Sequence, residues 1–210
     1  MQYSLRPLLT YLFVISTTLS LLSFHSPHSI RYLQNTPDNC YQTPEGSVID
    51  WDKWIKLNQS NFKASSKGSP GFAVATTASA FGFSIVDNNG SISGNIYVRF
   101  YCEKSWWNPE YKDSDILDDI LEHEQLHFDI CELYGRKLYK EIIILRNSGR
   151  LTEKYIDRLY DKIEKQYSDY QDKYDKETNH SIDRTEQAKW NRRIKKELAQ
   201  LSIYSDYHSF

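Results

Sequence analysis

The distribution of apolar, helix-forming and helix-breaking residues divides the chain into two halves. All six prolines fall at or before Pro109, and after that point only Gly135 and Gly149 interrupt a long run of helix-forming residues. Because proline and glycine are disfavoured inside helices, the C-terminal half is predicted to be helical. The N-terminal half is rich in Ser, Thr, Gly and aromatic residues, which favours strands and turns.

An antiparallel hairpin is predicted in the N-terminal half. The sequence Asn88-Asn89-Gly90 is a strong turn signal, and it lies between two strand-like segments, residues 81–86 and 91–101. In the second segment, alternate positions are apolar or small, as expected when one face of a strand packs on a core: Ile92, Gly94, Ile96, Val98 and Phe100.

Three helices are predicted in the C-terminal half, at about residues 114–146, 152–176 and 185–201. The break at residues 147–149 separates the first two, and Thr152 is a suitable N-cap for the second. One face of the second helix has an apolar or aromatic residue every three or four positions: Ile156, Leu159, Ile163, Tyr167, Tyr170 and Tyr174. We therefore predict an α+β fold, with an N-terminal antiparallel sheet or hairpin packed on a C-terminal bundle of about three helices.

The N-terminus has the composition of an export signal. Residues 8–24 are almost wholly apolar or hydroxylic, and a span of roughly 17 positions is at the lower limit for crossing a bilayer as a helix. No convincing small-residue cleavage site follows. We therefore expect residues 1–24 to be a signal peptide or an N-terminal membrane anchor, residues 25–48 an extended leader, and residues 49–205 one catalytic domain.

The charge balance and the cysteine content limit the classes of binding partner and the cellular compartment that we expect. With 26 basic and 28 acidic residues and no block of either sign, nothing favours binding to nucleic acid or to an anionic surface. Cys40 and Cys102 could pair in an oxidising compartment, whereas Cys131 is expected to be a small buried residue. The predicted location is periplasmic, extracellular or anchored to the membrane through the N-terminal segment.

A metal-binding motif lies within the first predicted helix. His123, Glu124 and His127 form H-E-x-x-H, and two histidines four residues apart lie on one helix face and can bind one zinc ion. Glu124 can then act as general base toward water. The alternative is a pair of core histidines. Apolar residues flank the motif and would bury the helix: Ile116, Leu117, Ile120, Leu121, Leu126 and Ile130. Buried imidazoles need a partner, and a metal ion is one such partner.

The same helix cannot supply a third protein ligand. Cys131 lies roughly 12 Å along the axis from His123, and Glu132 and Asp129 project away from both histidines. No Gly and His follow His127 at the offsets of the metzincin motif. Residues 174–181 are the later cluster with the most candidates.

Several stretches of the chain carry a family resemblance: residues 57–63, 73–81, 104–106, 123–130 and 174–181, followed by Gln187, Trp190 and Asn191. They resemble a bacterial family of unknown function described as predicted secreted zinc-dependent proteases. The resemblance implies a zincin-like fold and site, with His123 and His127 as ligands of Zn²⁺ and Glu124 as base. It implies little about the substrate.

Helix geometry favours His180 as the third zinc ligand. The break near Gly149 makes the first two helices an antiparallel pair, so residues 123–127 lie beside residues 171–175. A short turn after the second helix could then direct the His180 imidazole inward. Asp175 and Glu177 are rival ligands, and surface charge is the alternative for all three. With His180 as ligand, we expect Asp175 to orient a ligand imidazole, and Tyr174 to pack in the core or stabilise an oxyanion.

The leading functional hypothesis is an exported zinc metallopeptidase that hydrolyses peptide or protein substrates by a Glu124-activated, zinc-bound water. One alternative is a zinc amidase acting on cell-wall peptides, and another is a non-catalytic, membrane-anchored envelope protein. For a peptidase, we also predict that the strand at residues 92–101 lies beside the metal and offers its edge to substrate.

Overall fold

The computed structural model describes residues 39–67, 73–111 and 115–210. The signal or anchor predicted for residues 1–24 and the first part of the predicted leader lie outside these ranges. Within the described residues, no helix combines the length and the apolar character needed to cross a membrane.

Two antiparallel sheets form the N-terminal half. The larger has the strand order β1-β2-β5-β4, and the smaller pairs β3 with β6. The strands are β1 (Tyr41–Thr43), β2 (Gly46–Asp50), β3 (Ala75–Thr76), β4 (Ser79–Asn88), β5 (Ser91–Tyr101) and β6 (Trp106–Trp107). Single 3₁₀ turns occupy Gln59–Asn61, Pro109–Tyr111 and Ser202–Tyr204.

The predicted hairpin is present as β4 and β5. Asn89 and Gly90 at its tip both have positive φ, as the tight turn requires. The prediction that β5 offers an edge to substrate is wrong, because β5 is central in its sheet. It pairs with β4 along one side, while β2 and the C-terminal residues Tyr207 and Phe210 hydrogen-bond to it along the other.

The predicted leader contributes to the sheet from residue 41 onward. The hairpin of β1 and β2 lies in its last part, and Val48 of β2 is fully buried against β5. Cys40, just before β1, forms a disulfide with Cys102, just after β5. The sequence left the pairing of these two cysteines open, and Cys131 is fully buried as expected.

Three helices form the C-terminal half, which confirms the α+β class. They are α1 (Leu117–Asn147), α2 (Glu153–Thr178) and α3 (Arg184–Gln200). The Thr152 side chain accepts a hydrogen bond from the Tyr155 amide, so the predicted N-cap of α2 is also confirmed. The long helix α1 packs on the sheet at Gly135, where an added Cβ would lie only 2.5 Å from Val98 Cγ2. This close contact fixes α1 against β5 and thereby places its N-terminal half at the candidate site.

Candidate metal centre

The H-E-x-x-H segment lies in the N-terminal half of α1, where the helix is covered by other elements. The side chains of His123 and His127 are only 5% and 14% exposed. Their rings face each other edge to face, with centroids 4.7 Å apart. Helical spacing thus brings both imidazoles to one buried spot, as predicted.

Asp175 of α2 completes a triangle of possible metal ligands. Its Oδ1 atom lies 3.1 Å from His123 Nε2 and 3.0 Å from His127 Nε2, and the two Nε2 atoms are 3.2 Å apart. Zn²⁺ binds nitrogen and oxygen at roughly 2.0–2.1 Å, so a tetrahedral ion holds its ligand atoms about 3.3 Å apart. The three side chains therefore have the spacing of a metal triad.

Two glutamines hold the imidazoles by their other nitrogen. Gln187 Oε1 on α3 lies 3.1 Å from His123 Nδ1, and Gln171 Oε1 on α2 lies 2.7 Å from His127 Nδ1. The amide oxygen accepts a hydrogen bond only if each Nδ1 carries the proton. That tautomer leaves both Nε2 lone pairs directed at the triangle, which is the form that binds a metal.

The orientation of each glutamine amide follows from its second hydrogen bond. Gln171 Nε2 donates to the His127 carbonyl, and Gln187 Nε2 donates to Asn191 Oδ1. Each Oε1 is therefore the atom that faces a histidine. Asn191 in turn donates to Glu122, so the network returns to α1.

The pKa values reflect the crowding of charge at the triangle. Burial alone would lower the pKa of His127, but the Asp175 hydrogen bond and the charges of Glu124 and Asp175 raise it to about 9. Burial would raise the pKa of Asp175, but hydrogen bonds with both histidines hold it well below its usual value. Without a metal, His127 therefore keeps a proton next to the Asp175 carboxylate, and a metal ion that binds at this point would take the place of that proton.

Glu124 lies next to the triangle with an unsatisfied carboxylate oxygen. The residue is 5% exposed, and its Oε2 atom has no hydrogen-bond partner among the described residues. Its backbone carbonyl accepts a hydrogen bond from Thr77 Oγ1. A buried carboxylate oxygen without a donor is costly, so this atom is expected to meet a water molecule, an ion or a substrate.

A cavity of about 340 Å³ opens beside the triangle. Its lining includes His123, Glu124, His127 and Asp175, together with the segment at residues 73–77. That segment contains β3, which is held by pairing with β6 and by a hydrogen bond from the Asn108 amide to the Val74 carbonyl. Residues 73–77, and not β5, are therefore the extended chain that borders the site.

His180 lies in this cavity but outside the triangle. Its Nδ1 atom is 3.8 Å from Asp175 Oδ1, and its side chain is 62% exposed. Among the described residues, the three ligand atoms that lie close enough to share one ion belong to His123, His127 and Asp175, which was a rival candidate for the third position. Glu177, the other rival, is directed elsewhere, since its Oε2 atom accepts a hydrogen bond from Trp190 Nε1.

Tyr174 packs beneath His123 and does not line the cavity. Its fully buried ring stacks on the His123 imidazole at a centroid distance of 4.6 Å. Its hydroxyl lies 2.9 Å from Gln187 Oε1 and 3.2 Å from the His123 carbonyl. Burial raises the pKa of this hydroxyl. These contacts suit support of His123 and offer nothing to a substrate oxyanion.

Gln171 is the site residue that sequence reasoning did not assign. The available signal was its position, because the antiparallel pairing of α1 and α2 places residues 171–175 beside the two histidines. Gln187 was noticed only as part of a family resemblance, because its place on α3 depends on how that helix folds back on α1.

The fold and site define an α+β protein with a partly buried His-His-Asp group that could hold a metal ion. Residues 103–181 match a family described as a bacterial protein of unknown function (DUF922). The matched region contains the complete triangle and Glu124. No curated protein and no solved structure shows significant similarity to the chain.

Proposed function

We propose that this protein is a zinc-dependent hydrolase that cleaves peptide bonds, with His123, His127 and Asp175 as the metal ligands. The observation that carries the proposal is the triangle of ligand atoms 3.0 to 3.2 Å apart, with both Nδ1 atoms held by glutamine oxygens. Two nitrogens and one carboxylate oxygen are a donor set that suits Zn²⁺.

Three ligands beside a cavity support a catalytic centre over a structural one. Structural zinc sites are usually closed by four protein ligands, whereas catalytic sites keep one position open. The cavity next to Asp175 and the histidines gives a substrate access to that position. Bound there, zinc would act as a Lewis acid that polarises a carbonyl and makes water more acidic.

Glu124 would serve as the general base. Its Oε2 atom, which has no donor among the described residues, would accept a proton from the attacking water. The same oxygen would then deliver this proton to the leaving amine, so that the carboxylate is regenerated. The buried position next to the ligand histidines keeps the transfer distance short.

The extended segment at residues 73–77 supports a peptide as substrate. It borders the cavity for several residues and is fixed by β6 and by Thr77, which contacts the Glu124 carbonyl. A long, narrow substrate could lie along it with one carbonyl next to the metal ligands. The disulfide between Cys40 and Cys102 is typical of an exported protein, so we infer that the reaction takes place outside the cytoplasm.

The direct experiment compares the parent with Glu124→Gln after loading both with zinc. We expect roughly a 10²–10⁴-fold loss of casein or peptide hydrolysis with no loss of zinc, because the residue moves a proton and is not a ligand. Asp118→Asn, which removes an exposed carboxylate from the first turn of the same helix, is the control. Full activity in zinc-loaded Glu124→Gln would contradict the mechanism, and activity only on cell-wall peptide fragments would change the substrate class.

A further inference from the structure

We infer that His180 is a catalytic residue that donates a hydrogen bond to the substrate's reacting carbonyl oxygen and is not a metal ligand. The inference rests on the proposed hydrolytic function, and it assigns a role to a residue outside the H-E-x-x-H motif.

The backbone around His180 adopts a rare conformation. Asn179, His180 and Ser181 have φ values of 48°, 51° and 75°, so three consecutive residues with side chains are left-handed. Each such residue costs roughly 1–2 kcal/mol, and runs of them are unusual outside functional sites. The connection between α2 and α3 therefore holds a conformation that its local sequence does not favour.

Hydrogen bonds on both sides stabilise this turn. The His180 amide donates to the Asp175 carbonyl at 3.0 Å, and the Asp183 amide donates to the Thr178 carbonyl at 2.9 Å. Thr178 is fully buried, and its hydroxyl donates to the Tyr174 carbonyl. The turn is thus fixed to the end of α2 that carries Asp175, and it places His180 and Ser181 in the lining of the cavity.

The exposure of His180 is suited to a substrate contact and not to a metal ligand. Its side chain is 62% exposed, compared with 5% for His123 and 14% for His127. The three ligand atoms lie close together without it. The His180 imidazole lies at the solvent-exposed side of the cavity, where it can contact a substrate that enters from solvent.

The charge around the cavity also calls for a donor. Its lining carries the carboxylates of Glu124 and Asp175, and His180 is the only basic lining residue outside the triangle in the described chain. A carbonyl oxygen gains negative charge as water attacks, and a donor directed at it lowers the barrier. His180 Nδ1 faces Asp175, so the donor offered to the substrate is Nε2–H, which the imidazolium form and one neutral tautomer both carry.

Two tyrosine hydroxyls near the cavity are held by other contacts. The Tyr167 hydroxyl contacts the hydroxyl and the carbonyl of Ser79 at 3.1 and 3.2 Å. The Tyr174 hydroxyl is buried against Gln187 and His123. Neither can turn to the substrate without breaking contacts that hold the site together.

The test measures zinc affinity, kcat and KM for the parent and four variants. His180→Ala removes the ring, and His180→Gly removes it in a residue that suits the left-handed backbone. His180→Gln keeps a side-chain N–H donor. Ile182→Ala, a 74% exposed side chain two residues further along, is the matched control.

We expect His180→Ala and His180→Gly to bind zinc within about threefold of the parent while kcat falls roughly 10²–10³-fold, the effect of removing one oxyanion donor. His180→Gln should recover part of kcat, and Ile182→Ala should change little. A phosphinic peptide, whose anionic oxygen imitates the charged carbonyl oxygen, should bind more weakly to the two ring-deleted proteins.

Three results would overturn the inference. Loss of zinc affinity in His180→Gly as large as in Asp175→Ala would make His180 a ligand. Unchanged kcat and unchanged phosphinate affinity would leave it without a role in the reaction. A zinc-loaded parent that hydrolyses neither protein nor peptide would contradict the proposed function and, with it, this role.

Discussion

Helix α1 carries two buried polar clusters that differ in how completely the chain satisfies them. In the first, the Nε2 atoms of His123 and His127 and the Oδ1 atom of Asp175 meet at one point. In the second, about 14 Å further along the helix, both carboxylate oxygens of Glu132 have donors, Arg136 Nε at 2.7 Å and the Tyr207 hydroxyl at 2.5 Å.

The comparison separates a structural cluster from a functional one. Arg136 also donates to the Leu198 carbonyl and lies over the Trp51 ring, so the second cluster joins α1 to α3 and to the sheet. Nothing in it is left to bind a ligand. Among the described residues, no arginine or lysine pairs with the first cluster, and Glu124 beside it has an oxygen without a donor. Incomplete satisfaction of buried groups is therefore the feature that marks the site.

Removing the cation of the second cluster is expected to have the largest effect on stability. Arg136→Met leaves the Glu132 carboxylate buried without its counter-charge, which costs about 3–5 kcal/mol for buried pairs. Urea unfolding at pH 8 measures this loss, with Arg150→Met on the exposed surface as control. Zinc affinity of the folded protein should stay within about twofold, and a parallel loss of both quantities would show that the two clusters are not independent.

Removing the carboxylate of the first cluster is expected to give the opposite result. Asp175→Ala should lose zinc affinity by more than the roughly 100-fold that marks the upper end for residues that only orient a ligand. Zinc titration measures the affinity, and Asp172→Ala, an exposed acid on the same helix, is the control. If Asp175→Ala bound zinc as tightly as the parent, His180 would again be the favoured third metal ligand.

Changing a residue that orients an imidazole should have an intermediate effect on metal binding. Gln187→Leu removes the acceptor of His123 Nδ1 and leaves the ring free to turn or to change tautomer. A loss of roughly 10–100-fold in zinc affinity is expected. Gln166→Leu, an exposed glutamine on α2, is the control. An unchanged affinity would mean that packing against Tyr174 alone orients the ring.

The second cluster should also make the stability of the protein depend on pH, with a smaller effect than the loss of Arg136. Burial raises the pKa of Glu132 to about 7, against the lowering effects of Tyr207 and Arg136. Because the folded state then holds a proton that the unfolded state releases, this contribution is full below about pH 4.5 and is lost as pH rises through 7. Relative to Glu132→Gln, the parent should lose stability over that window, by on the order of 1–3 kcal/mol. A relative gain over the same window would contradict the direction of the shift.

The hairpin and the helices could be predicted from local signals. The Asn-Asn-Gly turn, the alternation along β5 and the Thr152 cap each depend on a few neighbouring residues, and all three are present in the structure. The role of β5 as a substrate edge was predicted wrongly, because the strands that cover it come from residues distant in sequence. Its second side is covered by β2 and by the C-terminal residues Tyr207 and Phe210.

The part of the candidate site that depends on the spacing of residues along the helices could be predicted from the sequence. His123, Glu124 and His127 follow from one motif, and the antiparallel pairing of α1 and α2 brought residues 171–175 to the same level. The choice between Asp175 and His180 depended on the turn after α2. None of the three left-handed residues in this turn is a glycine, so the sequence carries no signal for the turn. The sequence therefore favoured an imidazole directed inward, where the structure has the Asp175 carboxylate.

Zinc titration of the chelator-treated parent beside His127→Ala tests the central claim most directly. Calorimetry at pH 7.5 should give one zinc ion per chain for the parent and a loss of that binding in the variant, because His127 supplies one of three ligands. Saturable binding of equal strength in both proteins, or no binding to the parent, would contradict the assignment of this triangle as a metal centre.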